Sequence, residues 1–148
     1  MIRLRTFLRR SWAERLLLLE AALLVSLARL AVHTVPFRWL IRLAGKPRTE
    51  TPSVADPQHT VQVQRVGWAV HAVVRHLPWE CTCLAQALAA RLLLARRGIA
   101  VTLYLGVRRD AHGAPSAHAW LRSGTLYVTG GPGHRQYQVI ATFGGKTA

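Results

Sequence analysis

Two cysteines, seven histidines and six carboxylates are the groups of this chain suited to covalent or acid–base chemistry. Both cysteines fall in PWECTCLAQAL, from Pro78 to Leu88, one residue apart. Such a pair can ligate a metal, enter a disulfide, fill a core or supply a nucleophile. A zinc site needs about four clustered ligands. The chain has no second cysteine pair, and its histidines are scattered, His112 and His118 being the closest pair downstream. Neither a metal nor another cofactor is therefore expected. The GGKT at Gly144–Thr147 lacks the earlier glycine of a phosphate loop, because Ile140 stands in its place.

A thiolate is the sharper reading. Thr82 is a good N-cap type, which puts Cys83 in the first turn of a helix. Unpaired backbone N–H groups and the positive end of the helix dipole stabilise S⁻ there. The same amides can hold an oxyanion as a tetrahedral intermediate forms. A cysteine nucleophile also needs a base, usually a histidine brought close by the fold. His118 opens a strand between Ala117 and Ala119, and Trp120 points to the same side as His118. The competing reading is a small buried thiol at a helix–sheet contact, the commoner fate of a single cysteine.

The elements that must position these groups read clearly. Ser11 caps a helix running to about Val32, with Leu16, Leu19, Leu23, Leu27 and Leu30 at helical spacing on the side expected to be buried. FRWLIRLAG forms a second helix ended by Gly45. Residues 46–59 are polar and carry prolines, as a linker does. Helices from Thr60 to His76 and from Cys83 to Arg97 follow, then strands in IAVTLYLGV, AHAWLR, TLYVT and YQVIATF. Helices first and an antiparallel sheet second predict an α+β fold in which the helix of Cys83 packs on the sheet. The expected organisation is a helical region over 1–45, a linker over 46–59 and a core over 60–148, in one compact domain.

Composition narrows the class. A chain of 148 residues, 51% of them hydrophobic, can bury a core and is not disordered. Twenty Lys+Arg against six Asp+Glu give a net charge of +14, nearly all of it arginine. That balance favours an anionic partner, or reflects an arginine-rich genome. No aromatic-basic motif for nucleic acid accompanies it, so none is expected as a partner. Two cysteines cannot frame a secreted mini-protein. In the amino-terminal apolar run Glu20 and Arg29 leave only Ala21 to Ala28 uncharged between them. That is short of the ~20 residues that span a bilayer. The expectation is a cytoplasmic protein with buried first helices and no membrane partner, with room for a basic stripe facing a membrane.

In combination, PWECTCLAQALAARLLLARRGIAVTLYLGVRRD, AHAWLRSGTLYVTGG and YQVIATF resemble the leader peptidase of lasso-peptide biosynthesis. The likeness is to the stand-alone peptidase half of the B protein, and VPFRWL with its preceding leucine-rich helices extends it over most of the chain. The resemblance implies a transglutaminase-like, papain-related fold and a Cys-His-Asp cysteine endopeptidase that removes a leader from a precursor peptide. It implies Cys83 as nucleophile and His118 as base. Its partners would be the precursor, a small leader-binding carrier protein and a lasso cyclase. The family's acid, about a dozen residues after the histidine, is missing from LYVTGG.

If Ser123-Gly124 is a two-residue hairpin turn, Arg122 pairs with Thr125 and His118 with Thr129. Thr129 then stands where a carboxylate could orient the imidazole, accepting its N–H through the hydroxyl, or is an ordinary strand residue. Asp110, Glu80 or a backbone carbonyl are the alternatives. Trp79, Gln86 and Trp120 are candidates to line a substrate cleft, with core filling (Trp79) or helix covering (Gln86) as the alternatives. Cys81 is assigned to packing and His112 to solvent. Arg96, Arg97, Arg108 and Arg109 either meet acidic groups on the leader or its carrier, or are solvated strand-end charges. Two other functions fit the same residues: a non-enzymatic basic adaptor, and an acyl transferase using the same thiol.

Overall fold

Capping chemistry sets the helix boundaries. In the computed structural model, which describes residues 4–145, a short helix α1 (Leu4–Leu8) leads into α2 (Trp12–Thr34). Ser11 and Glu14 close the start of α2 reciprocally. The Ser11 hydroxyl accepts from Glu14 N–H, and Ser11 N–H donates to the Glu14 carboxylate, each at 3.3 Å. Helix α3 (Phe37–Ala44) ends at Gly45, and α4 (Thr60–His76) and α5 (Cys83–Ala95) follow. Thr82 caps α5 by accepting from Ala85 N–H at 3.3 Å.

Five strands make one antiparallel sheet: β1 (Lys46–Pro47), β2 (Val101–Arg109), β3 (Pro115–Ser123), β4 (Leu126–Thr129) and β5 (Gln138–Gly145). Their order across the sheet is β1-β5-β2-β3-β4. Alternation along β2 and β3 gives the sheet two unlike faces. Val101, Leu103, Ala119 and Leu121 join the core formed with α2, α4 and α5. Thr102, Tyr104, Trp120 and Arg122 occupy the other face. Helix α5 is central, with Ala85, Ala87, Ala89, Ala90, Leu93 and Leu94 fully buried. Its small residues let neighbouring elements approach closely. The α+β architecture read from the sequence is the one observed.

Helix α2 turns a different side inward from the one expected. Leu18, Ala21, Val25 and Ala28 are buried, while Leu16, Leu19, Leu23, Leu27 and Leu30 are 49–59% exposed. Both sides are apolar, so periodicity alone does not choose between them. Packing against alanine-rich α5 favours the side with the small residues. The helix is also long and apolar enough to cross a bilayer, despite Glu20 and Arg29. Glu20 is held by the end of α5, its carboxylate receiving Arg97 at 2.7 Å and Arg96 at 3.3 Å.

Residues 46–59 are not a loose linker. Lys46 and Pro47 pair with β5, and Arg48 N–H donates to the Thr142 carbonyl. Thr51 N–H donates to the Thr102 hydroxyl at 2.8 Å. Arg122, only 5% exposed, donates to the carbonyls of Thr51, Pro52 and Gly124 and to the Tyr104 hydroxyl. The segment is thus tied across the face of the sheet opposite the helices.

The β3–β4 hairpin is also offset from the expected pairing. Ser123 pairs with Leu126 and Arg122 with Tyr127, so the turn residues are Gly124 and Thr125. Gly124 has φ of +55°, and glycine at the first central position is the requirement of a II′ turn. One strand residue later the register shifts again, and Leu121 pairs with Thr129.

Candidate active site

Cys83 is the first residue of α5. Gln86 N–H bonds the Thr82 carbonyl and Ala85 N–H the Thr82 hydroxyl, which leaves the Cys83 and Leu84 amides without intrahelical acceptors. Two unpaired donors at the residue that carries the thiol are the kind of group that can receive an oxyanion. A cavity of about 220 Å³ opens there. Cys83 and His118 both line it, with Phe37, Leu84, Leu105, Val107, Ala117, Ala119 and Ile140 as apolar walls. No hydrogen bond joins the thiol to the ring, whose Nε2 is taken by the main chain.

His118 belongs to a stacked layer. Its ring lies 5.7 Å from Trp120 and 5.0 Å from Tyr137, while Trp120 stacks on Tyr104 at 5.5 Å and 11°. Arg108 lies over the Tyr137 ring at 4.7 Å, and Arg122 over the Tyr104 ring at 5.7 Å. Burial pushes the Tyr104 phenol up, and the bond from Arg122 partly offsets this. Gly106 pairs with His118 across the β2–β3 ladder, and a Cβ there would come within 2.8 Å of Trp120 and of Tyr137. The missing side chain lets both aromatics close on β2 at the residue that faces His118.

The imidazole is oriented by the main chain. His118 Nε2–H donates to the Gly130 carbonyl at 2.7 Å, leaving Nδ1 as the basic nitrogen. Gly130 has φ of +67°, and a Cβ on it would collide with the Ala119 carbonyl. The expected place of Thr129 opposite His118 is therefore corrected: Thr129 faces Leu121, is 2% exposed, and its hydroxyl has no partner among the described residues. An unpartnered buried hydroxyl costs about 1–3 kcal/mol. Thr129→Val should leave any activity that depends on Cys83 unchanged and stability equal or higher by about 1 kcal/mol, read from urea unfolding. A clear loss of activity would return Thr129 to the site. Neither alternative acid bonds the ring: Asp110 accepts the amides of His112 and Ala114, and the Glu80 carbonyl receives Arg29.

Three cleft candidates lie elsewhere. Trp79 borders a separate hollow of about 510 Å³ with Val74, Leu77 and Cys81, under the Arg29 guanidinium. Gln86 donates its amide to the Cys81 carbonyl at 2.9 Å and so fixes the turn before Cys83. Trp120 is 3% exposed and supports His118 from the side. Cys81 is half-buried, unbridged and packed against the core, and burial pushes its thiol up. The two cysteines thus open on different hollows. Of the four arginines, Arg96 and Arg97 hold Glu20, Arg108 bonds Gln136, and Arg109 bonds the Gly113 carbonyl. His112 is exposed.

Sequence reading missed Gly130, Gly106, Tyr137 and the apolar walls of the cavity. Signals existed for the glycines. A lone glycine inside a strand marks a close approach, and Gly130-Gly131 directly after a strand marks an unusual backbone.

A family model described as the transglutaminase-like superfamily matches residues 21–142. No curated protein and no solved structure matches the chain. The match covers α5, β1 to β4, part of β5, Cys83 and His118. The superfamily includes cysteine peptidases and acyltransferases, both of which act through a cysteine thiol. A thiol at a capped helix start, a histidine on the adjoining sheet and a cavity shared by the two accord with that match, and the chain belongs to the transglutaminase-like superfamily.

Proposed function

We propose that this protein is a cysteine endopeptidase that removes the leader from a lasso-peptide precursor, working with a small leader-binding carrier protein ahead of a lasso cyclase. The observation that carries the proposal is the cavity shared by Cys83 and His118 at the start of α5. Nδ1 of His118 takes the thiol proton as the thiolate attacks the scissile carbonyl. The Cys83 and Leu84 amides receive the oxyanion. The protonated ring then gives its proton to the leaving amine, and water releases the leader from the acyl-enzyme. The cavity walls carry no charge, which suits an uncharged precursor side chain beside the cleaved bond. The sequence likeness over Pro78 to Phe143 supports the lasso assignment in particular.

The test is leader removal followed by mass spectrometry, with precursor alone and with the carrier added. Cleavage should rise strongly with the carrier, because the described residues form the transglutaminase-like domain and no separate peptide-binding module stands among them. Equal rates with and without it would remove the carrier from the proposal. A second reading, an adaptor that keeps the fold without catalysis, is favoured by the missing acid and by the absence of a thiol–ring hydrogen bond. Intact precursor under all conditions would select it. Transfer of the acyl group to an added amine, in place of a free carboxylate, would select the acyltransferase.

A further inference from the structure

Helix α2 presents a second apolar side that nothing among the described residues covers. At 100° per residue, Trp12, Leu16, Leu19, Leu23, Leu27 and Leu30 fall within about 40° of one line, and they run for about 27 Å along the helix. Trp12 is 71% exposed and the five leucines 49–59%. Leu4 and Leu8 of α1 are exposed as well, at 70% and 53%. An apolar strip of this length on a monomer marks a contact surface.

The charge around it selects the occupant. Residues 4–44 hold seven arginines and two carboxylates, Glu14 and Glu20. Both carboxylates are engaged, Glu14 with Ser11 and Arg10, Glu20 with Arg96 and Arg97. Arg5 and Arg9 are exposed, and their side chains bond nothing among the described residues. A second copy would bring the same net charge of +14 to the contact, and like charges oppose that pairing. Leucines on an exposed helix side, tryptophan at one end and the exposed Arg5 and Arg9, in and just after α1, fit an anionic bilayer surface. Spanning is excluded by the opposite side of α2, where Leu18, Ala21, Val25 and Ala28 are buried against the rest of the protein.

We propose that this face of α1 and α2 lies in the headgroup boundary of an anionic membrane, with the helix parallel to the surface. The proposal is independent of the reaction assigned to Cys83. The test is flotation of the full chain with vesicles of phosphatidylcholine alone or mixed with phosphatidylglycerol. The protein should float with the mixed vesicles, bind the neutral ones at least about tenfold more weakly, and be released by high salt. Leu23→Glu with Leu27→Glu should abolish flotation while circular dichroism and precursor cleavage stay unchanged. Arg5→Gln with Arg9→Gln is a milder second variant, which should weaken binding about tenfold or more without touching the apolar strip. Failure to float with anionic vesicles overturns the proposal. So does resistance to alkaline carbonate extraction, which would mean insertion. A self-association or a carrier complex that the leucine substitutions abolish, in the absence of vesicle binding, overturns it in favour of a protein partner.

Discussion

Cys83→Ala is expected to lower carrier-assisted precursor cleavage by at least about a thousandfold, the scale on which loss of a covalent nucleophile acts. Cys81→Ser should keep most of the activity. The two residues stand two apart in the chain but do not share an environment. Cys83 starts α5 beside two free amides and the His118 cavity, whereas Cys81 precedes the cap and opens on the hollow beside Trp79. Burial pushes the Cys81 thiol up, which keeps it protonated and slow to alkylate near neutral pH. Limited iodoacetamide treatment should therefore label Cys83 first and remove activity in step with that label, read by peptide mass spectrometry. An active Cys83→Ala variant beside a dead Cys81→Ser variant would reverse the assignment.

Gly130→Ala should lower the cleavage rate by about a hundredfold or more, within the range that a positioned general base supplies. An L side chain at φ +67° costs about 1–2 kcal/mol, and its Cβ would collide with the Ala119 carbonyl and stand 2.9 Å from Trp120 Cβ. The backbone must move, and the carbonyl that fixes the His118 ring moves with it. The loss should fall on kcat, with KM little changed. Gly133→Ala is the control. Gly133 has φ of +79° but nothing within 4 Å of an added Cβ, so that variant carries backbone strain without displacing the ring. Equal losses in the two variants would mean that strain alone is responsible and that the Gly130 carbonyl does not position His118.

Much of this arrangement is legible in the amino-acid sequence, and what is not has definite physical causes. Ser11 and Thr82 are capping residues whose effect is local, so the starts of α2 and α5 follow from a few neighbours. Cys83 and His118 are placed by those local signals and by strand pattern. The partner of the ring is different in kind. A backbone carbonyl has no residue type, and the search for an acid led to Thr129 through a hairpin pairing that one glycine and one register shift displace. The buried side of α2 was hidden because leucines and small residues compete for it. Only the alanines of α5, distant in sequence, decide between them. Residues 46–59 look like a spacer until Arg122, on a strand far downstream, is seen to hold their carbonyls.

The order β1-β5-β2-β3-β4 has a consequence for biosynthesis. The strand made last, β5, lies inside the sheet, between the strand made first and β2. A nascent chain that has emerged only through β4 can pair β2 with β3 and fold its helices. One edge of β2, with the apolar run VTLYLGV, stays open until residues 138–145 leave the ribosome. Unpaired apolar edges recruit other strands. The interval between translation of β2 and of β5 is therefore when this chain is most exposed to misassembly and has most use for a chaperone. Slowing elongation across that interval should lower its soluble yield more than slowing it anywhere in the helical half.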